Sequence, residues 1–117
     1  MLGKRVLLVD DDTSIGILLY KLLALHNIKV IFAERAADAI ALLNNRPEID
    51  RLLVDINLGS PWSGREVGAA ALAIRPDLNC IFMTGDHTVD LPAIDIENAQ
   101  LIFKPFQTPA LIELFAF

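Results

Sequence analysis

Short apolar runs alternate with polar, Gly- and Pro-containing stretches along the whole chain. Val6 to Val9 form a continuous apolar run too short for a helix, the pattern of a strand buried on both faces. Asp10, Asp11 and Asp12 end it. After Thr13, Ile15, Leu18, Leu19, Leu22 and Leu23 recur at helical spacing, which predicts a helix to about Leu25 with Asp12 or Thr13 as its cap. Ile28 to Ala33 read as a second strand. Ala36 to Asn44 read as a second helix, with Ala36, Ala39, Ile40 and Leu43 on one face, and Pro47 closes the unit. Leu52, Leu53 and Val54 then make a third strand that stops at Asp55. The loop Gly59-Ser60-Pro61-Trp62-Ser63-Gly64 leads to a helix from about Arg65 to Ile74, whose Ala69, Ala70 and Ala71 suit close approach to a sheet. Cys80 to Met83 form a fourth strand and Gln100 to Phe103 a fifth. Between them Thr88 to Ala99 hold no clear apolar stripe, so only a short or irregular helix is expected there. Pro109 suits a first helical turn and starts a last helix to Phe117.

Five strand-helix alternations argue for an α/β fold, a parallel sheet with right-handed crossovers and helices on both faces. With 117 residues the chain is expected to form one domain, residues 1–117, able to bury a core without disulfides. Hydrophobic residues make up 54% and mean hydropathy is +0.47. No uncharged apolar run reaches the ~18 residues of a bilayer span, so no membrane insertion is expected. The acidic run from Asp10 does not fit a signal peptide, and the reading is cytoplasmic. A formal charge of −5 with no basic cluster beyond Lys4-Arg5 argues against direct nucleic-acid binding. Cys80, the single cysteine, lies in an apolar run and reads as a buried structural thiol.

Chemistry enters at the strand ends. Asp10 and Asp11 follow strand one, Asp55 ends strand three, Thr84 follows strand four and Lys104 follows strand five. In a parallel sheet these ends share one edge, where ligands bind in open α/β folds. Asp55 alone is also an ordinary turn opener. Three carboxylates ~5 Å apart, however, repel by ~3 kcal/mol per pair at an effective dielectric near 20, and so require positive charge. Lys104 and a hard cation such as Mg²⁺ (or Mn²⁺) suit the need. Such a set has the parts for phosphoryl transfer onto a carboxylate.

Val-Asp-Asp at 9–11, Asp55, Thr84-Gly85 and Phe103-Lys104-Pro105-Phe106, in this order, resemble a response-regulator receiver domain of two-component signalling. The resemblance implies a flavodoxin-like (βα)5 doubly wound sheet with strand order 2-1-3-4-5. It implies Asp55 as phosphoacceptor, Thr84 as switch hydroxyl and Lys104 as the pairing ammonium. Asp10, Asp11, Asp55 and the backbone carbonyl of Asn57 would hold Mg²⁺, and Lys104-Pro105 would be cis. The partner would be a histidine kinase or histidine phosphotransfer protein. Slow self-dephosphorylation, tuned by Asn57 and Asp86, would follow, without the turnover of an ordinary enzyme.

Two departures stand out. Gly59 replaces the usual proline after the phosphoacceptor, and Gly64 comes one residue late, as after a one-residue insertion. Leu101 stands three residues before Lys104, where the family often has an inward-swinging Tyr or Phe, so the usual threonine-aromatic relay is not available. Leu111, Ile112, Leu114, Phe115 and Phe117 make the last helix apolar enough to suggest a homodimer or fused partner domain there, although Phe117 also reads as a tail residue. His26 reads as a helix end, Asp12 as a cap, Trp62 as a loop residue at the pocket rim, and His87 as a residue near the site. Two rivals remain at this point. One is a receiver-like docking module that works by protein contacts alone. The other is a haloacid-dehalogenase-type phosphohydrolase, which needs Asp-x-Asp-x-Thr and a cap domain; Thr13 stands one place early and the chain is too short.

Overall fold

Every apolar run read as a strand forms one. In the computed structural model, which describes residues 5–58, 63–105 and 107–115, the strands are β1 Arg5–Val9, β2 Lys29–Ala33, β3 Arg51–Asp55, β4 Asn79–Thr84 and β5 Gln100–Phe103. The helices are α1 Thr13–Ala24, α2 Ala36–Asn45, α3 Gly64–Ile74, α4 Leu91–Ile94 and α5 Thr108–Glu113. All strand pairings are parallel and the order is β2-β1-β3-β4-β5, the expected flavodoxin-like arrangement. No helix among the described residues is long and apolar enough to cross a membrane.

The strand alternation splits the core into two layers, since successive side chains point to opposite faces. Leu7, Val9, Leu52, Val54, Cys80 and Phe82 meet Ala39, Leu43, Val67 and Ala71 of α2 and α3, with Ile94 of α4. Val6, Leu8, Leu53, Ile81, Met83 and Ile102 meet Leu19 and Leu23 of α1 and Leu111 of α5. Every residue of β3 is buried, so the strand that ends in Asp55 is the centre of the sheet.

Helix ends are set by identifiable groups. Asp12 caps α1, its Oδ1 accepting from Ser14 N at 3.0 Å and Ile15 N at 3.3 Å. Asn27, at φ 61°, takes the left-handed conformation that reverses the chain into β2; His26 lies just past the helix, its Nδ1 3.2 Å from Leu22 O. Ser63 and Glu66 form a reciprocal capping box on α3, which begins at Gly64, one residue earlier than the apolar pattern indicates. Gly68 and Ala71 give α3 its close approach: a Cβ at Gly68 would stand 2.6 Å from the Phe82 ring. Ala69, by contrast, is exposed. Arg75 locks the opposite edge of the sheet, donating to Leu43 O, Arg46 O, Pro47 O and Ile49 O over 2.6–3.3 Å.

The expected short helix four is a single turn. Ile94 anchors it, 2% exposed, and Arg65 Nε donates to Ile94 O at 2.6 Å. Asp95 at φ 55° and Asn98 at φ 63° then turn the chain away. The last helix is also shorter than expected, ending at Glu113. Leu111 and Phe115 are buried against β1, β3 and β4, and Ile112 and Leu114 are partly buried beside them. Of the apolar residues read as a partner surface, Leu111 and Phe115 thus lie in the core, with Ile112 and Leu114 at its margin. Among the described residues, the exposed large hydrophobics are Ile17, Leu18, Tyr20 and Leu25 on or just past α1, and Leu91. The expectations for Gly59 to Trp62 and for Phe117 fall outside the described residues.

Candidate functional site

Register alone carries the polar strand ends together. Val9 pairs with Val54, so Asp10 and Asp55 leave neighbouring strands one step later and at the end of that pairing. Asp55 pairs with Met83, Thr84 with Phe103, and Lys104 follows directly. At that edge Lys104 Nζ lies 2.7 Å from Asp55 Oδ2 and 3.4 Å from Asp10 Oδ2. The other oxygen of each carboxylate accepts a backbone N–H two residues on: Asp12 N to Asp10 Oδ1 and Asn57 N to Asp55 Oδ1, both 2.9 Å. The two acids are thus held in the same way, one oxygen on the backbone and one on the ammonium.

Thr84, fully buried, closes the group. Its carbonyl accepts from Lys104 N at 2.7 Å and its Oγ1 accepts from Asp86 N at 3.0 Å. Lys104-Pro105 is cis. Asp11 and Asn57 stand at the same edge and are exposed.

Charge and burial oppose each other here. Burial raises the Asp10 pKa above its ordinary value, and the repulsion of Asp55 adds to this; the Asp12 N–H and Lys104 only partly offset it. Burial by itself would lower the Lys104 pKa, but the hydrogen bond it donates to Asp55 and the charges of Asp10 and Asp55 outweigh it and leave it raised. The ammonium is therefore held charged. Asp10 and Asp55 share that one ammonium, which leaves carboxylate charge that a divalent ion would neutralise. The donors are all oxygens, as a hard cation requires, and one or two carboxylates with backbone and water suffice for Mg²⁺. No group of three or more His, Cys, Asp or Glu able to hold a metal occurs among the described residues, so the fit rests on the chemistry of the oxygen donors alone. The residues present fit Mg²⁺.

Gly64 is the positioning residue that the apolar pattern does not reveal. Its N–H donates to Ile56 O at 2.8 Å, and a Cβ there would overlap the Asp55 carbonyl. The N-terminus of α3 thus rests on the backbone that presents Asp55. A usable signal was present, namely Ser63 three residues before Glu66. His87 contributes differently, its ring stacking on Phe103 with centroids 4.9 Å apart.

Comparison with known proteins gives a consistent result. Residues 6–116 match the family described as the response regulator receiver domain. The chain is 33% identical to the response regulator receiver protein CpdR of Brucella abortus over 111 residues, 93% of this chain and 91% of that protein. A CheY-like receiver domain protein of Methanospirillum hungatei is 29% identical at a TM-score of 0.82, covering 96% of this chain and 90% of that one. A receiver protein of Sinorhizobium medicae, 23% identical, shares the fold at a TM-score of 0.88 over 97% of this chain and 92% of that one. Since the match runs from β1 past α5 and the strand order is that of CheY-like structures, the chain belongs to the response regulator receiver family of two-component signalling.

Proposed function

We propose that this receiver accepts a phosphoryl group on Asp55 from a phosphohistidine of a histidine kinase or histidine phosphotransfer protein. The observation that carries the reading is the single ammonium of Lys104 shared between Asp55 and Asp10 at 2.7 and 3.4 Å. Asp55 Oδ attacks phosphorus as the bond to the donor imidazole nitrogen breaks, and that nitrogen keeps the electron pair. Lys104 turns from the carboxylate to a phosphoryl oxygen, and the Thr84 hydroxyl donates to another. Asp10, Asp11, Asp55 and the Asn57 carbonyl would hold Mg²⁺ (or Mn²⁺), which supplies charge neutralisation at the phosphoryl oxygens. Access to the Asp55 side chain, 11% exposed, is narrow, so the donor must bring its group to the sheet edge. Helix α1 starts at that edge, and its exposed Ile17, Leu18 and Tyr20 offer the donor protein an apolar footing.

Incubation with acetyl phosphate or phosphoramidate and Mg²⁺, followed by intact mass measurement, tests this. One phosphoryl adduct is expected, lost in Asp55→Asn. Absence of both an adduct and Mg²⁺ binding would overturn the reading.

A further inference from the structure

The β4–α4 loop is built on the Thr84 hydroxyl. Asp86 N donates to Thr84 Oγ1 at 3.0 Å, and Asp86 Oδ1 in turn accepts from Thr88 N at 2.9 Å and Thr88 Oγ1 at 2.6 Å. Val89 N closes the turn on Asp86 O at 3.2 Å. Between these anchors His87 projects, and its ring stacks on Phe103 at 4.9 Å with the planes 13° apart. Phe103 is the β5 partner of Thr84 and precedes Lys104. The loop is therefore tied to the site at one end and to the outer edge of the sheet at the other.

Backbone pairing of Lys104 N with Thr84 O pins the end of β4, so a change at the Thr84 side chain is passed to the loop and not to the strand. Room for it exists at Gly85, where a Cβ would meet nothing within 4 Å. Leu101, in the position of the family's usual mobile aromatic, is packed against the α2–α3 layer and has no ring to swing.

We propose that the His87–Phe103 stack is a latch, closed while Thr84 accepts from Asp86 and opened when the Thr84 hydroxyl turns to a phosphoryl group. It takes over, on β5, the part that Leu101 cannot play. Opening frees the Phe103 face beside Lys104 and changes the surface of β5. The inference rests on Asp55 as phosphoacceptor.

The test uses Mg²⁺ with beryllofluoride, a non-transferable stand-in for a phosphoryl group, on the full chain. Bound fluorine signals report occupancy of the site independently of the latch. In the free protein the His87 ring protons are expected upfield through the Phe103 ring current, and at saturation they return toward the values seen in Phe103→Leu. Because the coupling is reciprocal, His87→Ala and Phe103→Leu each tighten beryllofluoride binding roughly two- to tenfold, and the double variant gains no more than either. His87 is exposed, so His87→Ala keeps the test open should Phe103→Leu unfold. Saturated protein with unmoved His87 signals, or His87→Ala with unchanged affinity, overturns the latch and leaves the phosphoacceptor reading intact. No bound fluorine signal at all overturns both.

Discussion

Lys104 Nζ approaches Asp55 Oδ2 at 2.7 Å but Asp10 Oδ2 only at 3.4 Å, so one ammonium serves two carboxylates unequally. The closer contact is to the acid with the more open side chain, 11% against 0% exposed. In the proposed reaction, an ammonium so placed would compete with a bound cation for the same oxygens and then follow the phosphoryl group.

Lys104→Met should separate these two roles. Without the ammonium the acids repel more strongly, and Mg²⁺ is expected to bind on the order of tenfold more tightly, read by calorimetric titration. Labelling by acetyl phosphate is expected to fall by about a hundredfold, the loss typical of removing one preorganised group from a developing charge. Weaker metal binding in the variant would show that Lys104 does not compete with the ion.

Gly64 governs the site through the backbone. A methyl group there would overlap the Asp55 carbonyl, and the neighbouring atoms are main chain and not the yielding end of a side chain. Gly64→Ala is expected to lose about 1–3 kcal/mol in urea unfolding and to reduce Asp55 labelling even in protein that remains folded. Full stability with normal labelling would mean that α3 can shift away from β3 without consequence.

The strands and the cluster at the sheet edge were legible because both follow from periodicity: buried strands read as apolar runs, and each run ends in its polar residue; the order of the strands was legible only through the family resemblance. Helix ends were less legible, because they depend on single side chains. Asp12 was readable as a cap, but Asn27 at φ 61° was not, since nothing in an apolar pattern marks a left-handed residue. The last helix was less legible because an apolar count cannot tell core from surface: Leu111 and Phe115 fill the layer that a helix of 6 residues would otherwise leave open. Contacts between distant segments, such as Arg75 on four carbonyls and His87 on Phe103, had no local signature.

Helix α1 carries apolar residues on nearly every side, with Leu19 and Leu23 buried but Ile17 and Leu18 50% and 64% exposed. A helix apolar all round is normally covered, and this one adjoins the acid pair. Ile17→Glu combined with Leu18→Gln is therefore expected to slow transfer from a protein phosphodonor at least about tenfold. Labelling by acetyl phosphate, which needs no docking surface, should change less than about twofold, with thermal unfolding as the check on folding. Equal losses with both donors would place the defect in the site and not in docking.

Cys80 gives the fold a defined alkaline limit. It lies 2% exposed on β4, and burial pushes its thiol from 9.0 up to about 11. The unfolded chain releases this proton near pH 9, whereas the folded chain keeps it to about 11, so the native state binds the proton more tightly. The resulting stability is complete below pH 9 and is lost as pH rises through 11, a shift of two pKa units or roughly 3 kcal/mol at most. Lys104, whose pKa is also raised, adds a loss of the same sign above its ordinary 10.5. Cys80→Ala retains the Lys104 contribution and removes the thiol's. Its urea midpoint is expected to lie below that of the parent at pH 8, because a buried sulfur is lost, and to fall less between pH 8 and 11. Parallel declines in the two proteins would show that the thiol ionises in the folded chain as readily as in the unfolded one.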